Sequence, residues 1–258
     1  MELEAAVVIV TGAGNGIGAA LARRFAREGA AGVTVVDLDE AAATTVAEDI
    51  GGLAVVADVG DEDQIRAAVT RTEQRFGPVD LFVANAGIAR GGGPDAPDED
   101  FEASWRVNVM QGVWGARAVL PSMLERGSGH ILVTASAAGL LTNLGALPYS
   151  LTKHAAVALA EWLEITYADR GVRASCLCPQ FVDTAMLEAA SDSPASAEFV
   201  RSMAIHPEQV ADVVVDGLRE GRFLHLPHPE VATYEQRRAT DRERWLAGMR
   251  RLQATLAD

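Results

Sequence analysis

A single lysine, Lys153, stands among the 22 basic side chains of this 258-residue sequence, four residues after Tyr149 in the stretch PYSLTKHA. On a helix, residues four apart share a face, so phenol and ammonium are placed together. An ammonium is a compact charge with three rotating donors, whereas a guanidinium is a planar fork. In a chain that otherwise uses arginine throughout, this lysine is either a helix-surface residue that escaped a drift in composition or one that does what arginine cannot. A second set of residues points to a phosphate-bearing ligand. The stretch TGAGNGIG, residues 11–18, joins an apolar run to the segment AALARRF. Glycine lets backbone approach a pyrophosphate closely, and a helix N-terminus offers unpaired N–H groups and positive dipole. Asp37 closes the next apolar run. A carboxylate there accepts hydrogen bonds from the adenosine ribose hydroxyls and repels a 2′-phosphate. Neither Asn15, Leu38 nor Asp39 supplies a cation to neutralise such a phosphate. NAD is therefore expected in preference to NADP. The plainer role for Asp37, capping the following helix, is one Asp39 fills equally well.

These residues need a frame to hold them. Short β-branched runs at 7–11, 33–37, 53–57, 80–84, 130–134, 172–177 and 223–226 alternate with amphipathic segments near 16–28, 40–49, 61–76, 101–126, 149–169 and 207–219. Strands that read as continuous apolar runs are buried on both faces, which means a parallel sheet covered by helices. The expected fold is α/β, a single-domain doubly wound parallel sheet of about seven strands, with its ligand crevice at the strands' carboxyl ends. No linker divides the chain, so residues 1–258 are expected to form one domain. Residues 88–100 read as a loop, and 185–206, with Met186, Leu187, Phe199 and Met203 as apolar points, as an active-site lid or a surface excursion. Residues 229–256 read as one charged amphipathic helix that packs or contacts another subunit.

Composition narrows the function further. A net charge of −14 opposes binding to nucleic acid or anionic membrane, which needs a basic surface. No run approaches a membrane span. Acids rather than a basic region at the N-terminus, with an apolar run leading into a glycine turn, read as a first strand and not as a signal peptide. Cys176 and Cys178 are expected as buried thiols in a reducing cytoplasm. Five scattered histidines offer no metal constellation, so no metal is expected.

Taken in order, TGAGNGIG at 11–18, Asp58-Val59, ANAG at 84–87, Asn108, Ser136, Tyr149-Ser-Leu-Thr-Lys153 and PQFVDT at 179–184 resemble the short-chain dehydrogenase/reductase family over nearly the whole chain. The resemblance implies a Rossmann fold and Tyr149 as acid/base. A free phenol with a pKa of ~10 needs about 4 kcal/mol of differential stabilisation to reach ~7. Lys153 and an oxidised nicotinamide are the implied sources. Family precedent also has Lys153 bond the nicotinamide ribose, Ser136 hold the substrate oxygen, and Asn108 bend its helix beside the lysine. It further implies cofactor contacts from Gly12, Asn15, Gly16, Ile17, Asp37, Asp58, Val59, Asn85, Ala86, Gly87, Tyr149, Lys153, Pro179, Val182 and Thr184. Asp58 and Val59 would flank adenine, Asn85 to Gly87 the adenosine-side ribose, and Thr184 would reach the pyrophosphate or carboxamide. Many family members have Pro-Gly where this chain has Pro179-Gln180, which makes Gln180 a substrate-site candidate or a solvent-exposed side chain.

The resulting expectation is an NAD-dependent oxidoreductase moving hydride between a secondary alcohol or ketone and nicotinamide. Leu140, Leu144 and Met186, with Gln180, are the substrate-site candidates, and their apolarity suggests an alicyclic, terpenoid or steroid-like substrate. The alternatives are reduction of a 3-oxoacyl thioester on a carrier protein and, with less support, a non-catalytic NAD-binding regulator. The family commonly forms tetramers through its two long helices, so a homo-oligomer is expected. Trp105, Trp114 and Trp162 are either interface anchors or core residues.

Overall fold

A computed structural model of the chain describes residues 1–189 and 203–257. Seven parallel strands form one sheet: β1 Val7–Thr11, β2 Gly32–Asp37, β3 Leu53–Val56, β4 Leu81–Ala84, β5 Gly129–Thr134, β6 Val172–Leu177 and β7 Leu224–His225, in the order β3-β2-β1-β4-β5-β6-β7. The chain builds outward from β1 to β3, then crosses back to start β4 on the other side of β1. That reversal opens a crevice above the carboxyl ends of β1 and β4, where the chain leaves each strand on opposite faces. Register fixes the rim of the crevice: Thr11 lies beside Val36, Val10 beside Val83, and Thr134 beside Leu177.

Helices cover both faces, as the unbroken apolar strands require. Two buried clusters separate cleanly by strand alternation. Val8, Val10, Val35, Val83 and Leu132 point to one face, with α1 Gly16–Arg27, α2 Glu40–Ile50 and Pro207–Glu220; Ile9, Val36, Phe82, Ile131, Val133 and Cys176 point to the other. That second face carries α3 Glu62–Phe76, α4 Asp98–Trp105, α5 Gln111–Arg126, α6 Ala138–Leu141 and α7 Leu147–Tyr167. A short α8, Ala185–Ala189, follows, so Pro207–Glu220 is α9. Carboxylates start two of these helices: Asp39 accepts from Ala42 N at 3.0 Å and Asp61 from Asp63 N at 2.8 Å. The cap of α2 is thus Asp39, which leaves Asp37 free for another role. Among the described residues, no helix is long and apolar enough to cross a membrane.

Two expectations need correction. The C-terminal segment is two helices, α10 Glu230–Thr240 and α11 Arg242–Ala257, broken at Asp241, whose carboxylate caps the second by accepting from Arg244 N at 3.0 Å. The long helix expected at 101–126 begins at Asp98 and contains a π-helical turn, Arg106–Met110, that separates α4 from α5. The four-residue α6 after Ser136 has too few residues for a periodic signal. Most of the expected lid, including Phe199, lies outside the described residues. Its two ends are joined where Ile205 N donates to Phe181 O and Asp183 N to Ile205 O, both at 3.0 Å.

Candidate active site

The glycine turn has the geometry a pyrophosphate needs. Gly12 sits at φ +60°, and a Cβ there would come within 2.7 Å of Ala86 Cα, so the turn presses directly on the ANAG segment. Helix α1 begins at Gly16 after Asn15, which makes no side-chain cap, and no acid occupies its first turn. Its leading N–H groups therefore face the crevice without a protein anion, the setting that favours a bound phosphate. Thr184 packs over this end, its Cγ2 being 3.1 Å from where a Gly16 Cβ would lie. Ile17 is half-buried against the α1 side of the core. Asp37 steadies the turn by accepting from Gly14 N at 2.8 Å and from Asp39 N at 3.0 Å, and both oxygens keep further acceptor capacity. These residues fit the adenosine diphosphate half of a dinucleotide.

A buried network that sequence reasoning missed holds the turn to β4. Thr11 Oγ1 accepts from Asn85 N at 2.8 Å and Ala86 N at 3.1 Å, and donates to Gln111 Oε1 at 2.8 Å. The Gln111 amide donates onward to the Ala86 carbonyl. The Asn85 side chain joins the same network, with Nδ2 donating to Thr11 O at 2.9 Å and Oδ1 accepting from Thr134 at 3.2 Å. A ribose contact at Asn85 therefore falls to its main chain. Arg106 adds a further clasp, donating twice to Gly60 O, at 3.0 and 2.8 Å, below the Asp58-Val59 pair. Asp58 is exposed, with Oδ1 accepting from Gly60 N at 2.8 Å. Val59 is buried, with its side chain packed in the core. Thr11 and Asn85 stood in legible motifs, but their link through Gln111 did not, since an isolated glutamine in a helix carries no signal.

The catalytic candidates gather at the ends of β5 and β6. Ser136 follows β5; its Oγ accepts from Ala138 N at 3.1 Å and reaches Pro179 O at 3.4 Å. Tyr149 and Lys153 project from the first turns of α7, with Nζ 5.5 Å from the phenol ring centroid. The Ser136 hydroxyl is a hydrogen-bond neighbour of the phenol. Lys153 is only 3 % exposed and donates to Thr134 O at 3.0 Å. Gly87 makes room for it, because a Cβ there would lie 3.4 Å from Nζ and 3.3 Å from Asn108 Oδ1. Asn108 occupies the π-helical turn, a feature that often marks functional sites. Its Oδ1 accepts from Ile88 N at 2.9 Å, and Nδ2 donates to Ile88 O and Thr152 Oγ1, both at 3.0 Å. The amide thus ties the loop after β4 to α7, beside Lys153.

Burial sets the electrostatics of the pair. Burial raises the Tyr149 phenol above its ordinary value, opposed by the Ser136 hydrogen bond and reinforced by Cys178. The chain alone does not prepare a tyrosinate. Burial likewise lowers the Lys153 ammonium to about 8, partly offset by Cys176 and Cys178. Lys153 stands 5.5 Å from the centre of the phenol ring, and a cation beside a phenol favours its ionised form; burial works against that form, so a second cation is needed.

Among the substrate candidates, Leu140 is buried in the core, Leu144 and Gln180 are half-buried, and Met186 is exposed. Gln180 takes no left-handed φ, so a side chain replaces the usual glycine without strain. Pro179 and Val182 are buried beneath it. A cavity of about 390 Å³ lies at the opposite end of the sheet, lined by Met1, Asp80, His130 and Arg173 among others. Asp80 already accepts from Val7 N and Arg173 pairs with Glu164, so these two charges are engaged within the fold.

The comparisons agree with this architecture. A family model described as short chain dehydrogenase matches residues 6–195. The 1-deoxy-11-beta-hydroxypentalenate dehydrogenase of Streptomyces exfoliatus is 35 % identical over 232 residues, covering 86 % of this chain and 83 % of the relative. A short chain dehydrogenase/reductase from Burkholderia phymatum in complex with NAD superimposes with a TM-score of 0.86 at 30 % identity, over 94 % of this chain and 96 % of that one. The 3-ketoacyl-(acyl-carrier-protein) reductase of Brucella melitensis, complexed with NADH, gives 0.79 at 30 % identity, over 87 % and 96 %.

Proposed function

From the premise that the chain belongs to the short-chain dehydrogenase/reductase family, oxidoreductases acting on CH–OH groups, we propose an NAD-dependent dehydrogenase that interconverts a secondary alcohol and its ketone. The observation that carries this reading is the convergence of Ser136, Tyr149 and the buried Lys153 beside a glycine turn governed by Asp37. The nicotinamide ring, when bound, accepts hydride and contributes a positive charge. Ser136 holds the substrate oxygen, and Tyr149 takes its proton during oxidation and returns it during reduction. Lys153 stabilises the tyrosinate and offers its remaining N–H groups to a ribose. Asn108 keeps the loop carrying Gly87 and the helix carrying Lys153 in register. Asp37 accepts from a ribose diol and repels a 2′-phosphate, so NAD is preferred to NADP.

The substrate is apolar, of alicyclic, terpenoid or steroid-like type, contacted by Leu144, Met186 and Gln180. The name of the Streptomyces relative, a dehydrogenase of a hydroxypentalenate, supports a hydroxyl-bearing substrate. The Brucella neighbour supports a second reading, reduction of a carrier-bound 3-oxoacyl group. That neighbour holds NADH, so Asp37 does not separate the two. Against it, an acidic carrier needs a basic docking patch, and Arg126 already donates to Val79 O at 2.8 Å. We also propose that a homo-oligomer forms through α7, where Leu151, Trp162 and Ile165 are exposed, together with Trp105 of α4; Trp114 instead packs against the core. The test is oxidation of cyclohexanol, borneol and androsterone with NAD and with NADP. NADH formation well above NADPH formation supports the proposal; turnover only of an acyl-carrier substrate refutes it.

A further inference from the structure

One buried histidine has no part in the chemistry above. His228 lies between β7 and α10 and is 5 % exposed. Its Nδ1 accepts a hydrogen bond from Gln180 N at 3.2 Å, so the ring proton resides on Nε2, which is buried without a partner among the described residues. Burial lowers its basicity, opposed by the Glu230 carboxylate and the Phe181 backbone, which agrees with a neutral acceptor. Gln180 N and Pro179 O belong to one peptide group. That carbonyl accepts from Ala137 N at 2.8 Å and faces the Ser136 hydroxyl at 3.4 Å. The peptide is thus gripped at one end by the segment carrying Ser136 and at the other by His228.

We propose that His228 is a positioning residue whose Nδ1 pins the Pro179–Gln180 peptide and so holds its carbonyl against Ala137 and Ser136. Its importance for turnover rests on the dehydrogenase reading of the site. Planarity makes the two ends of a peptide group turn together. Without the imidazole acceptor, the half-buried N–H must find another partner, and any rotation that provides one swings the carbonyl away from Ser136. The hydroxyl then loses the reference that aims it at Tyr149 and the substrate oxygen. The turn after β6 is thus held by a histidine from the C-terminal segment.

The test uses H228L, which removes the acceptor while keeping apolar bulk, and H228N, which returns an acceptor oxygen near the position of Nδ1. In H228L the Gln180 amide is expected to exchange with deuterium about tenfold faster than in the wild type, the scale set by one hydrogen bond. With borneol and NAD, kcat is expected to fall about tenfold while KM for NAD stays within about twofold, the pattern of a lost transition-state contact. H228N should recover most of both. Unchanged exchange and turnover in H228L, or equal damage in H228N, would overturn the proposal. Nitrogen NMR of the wild type gives a check that needs no variant: Nδ1 must be unprotonated, and the opposite tautomer contradicts it. If the wild type turns over none of the alcohols, it is the dehydrogenase reading that fails, and amide exchange still decides the lock.

Discussion

Replacing Lys153 with arginine preserves charge and changes shape, so it separates the two things this residue provides. Nζ is buried, bonded at 3.0 Å to Thr134 O, and 3.4 Å from a position that only the missing Cβ of Gly87 leaves open. A guanidinium adds two heavy atoms to a space already closed by Gly87 and the Tyr149 ring. Overpacking of this kind costs about 1–3 kcal/mol of stability. A displacement near 1 Å at the reacting groups costs about a hundredfold in rate. The expected outcome for K153R is a loss of kcat of about a hundredfold or more, bounded by the 10²–10⁴-fold that positioned acid–base groups contribute. The assay is NADH absorbance at saturating NAD and alcohol, with K153M as the neutral control. If charge alone mattered, K153R would far outperform K153M; the structure predicts that they fall within about tenfold of each other. Retention of kcat within about threefold of the wild type in K153R, on the scale of a weak surface contact, would show that charge alone suffices at this position.

Other consequences can be measured independently. Burial holds His130 at about 3 and His225 at about 4, both below the ordinary 6.5 of the unfolded chain. Imidazoles with depressed folded values weaken the fold as pH drops below 6.5, because the unfolded chain binds protons first; the loss completes near pH 3–4 and amounts to several kcal/mol. Circular dichroism should show acid unfolding in that window, moved to lower pH by His225→Leu, and an unmoved curve contradicts the assignment. Gly217 lies under the same ring, its absent Cβ 2.0 Å from His225 Nδ1, so Gly217→Ala should lower stability by about 1–3 kcal/mol in urea unfolding. No change there would mean that the α9–β7 contact is loose. Asp37→Ser should cost about tenfold in NAD affinity, the value of a charge-assisted hydrogen bond, and improve NADP binding; equal loss of both points to collapse of the Gly14 turn instead.

The alternation of strands and helices, and a parallel sheet covered on both faces, were legible because strands that read as unbroken apolar runs are buried on both sides. TGAGNGIG, Asp37 and the Tyr149–Lys153 spacing announced themselves because each needs a particular residue at a particular offset. What escaped was cooperative. Gln111, Thr11 and Asn85 act through hydrogen bonds between residues 74 to 100 positions apart, and no local pattern encodes that. Asp241 divides the last helix by a cap that resembles any other acid in a charged segment. Leu140 read as a pocket residue because hydrophobicity does not say which side of a short helix faces the core. The rise in the Tyr149 value was hidden for a similar reason: its neighbours were foreseeable, whereas its degree of burial was not.

The most direct measurement pairs the wild type with Tyr149→Phe, which keeps the ring and removes the oxygen that carries the proton. Each protein is given NAD and borneol, NAD binding is followed by calorimetry, and NADH formation by absorbance. The account predicts NAD affinities within about threefold, because one hydroxyl near the ring contributes little more than a single neutral hydrogen bond. It also predicts steady NADH formation by the wild type and loss of nearly all of it in Y149F. Comparable NADH formation by the two proteins would contradict the assignment of Tyr149 as the acid/base, and with it the reading of this site.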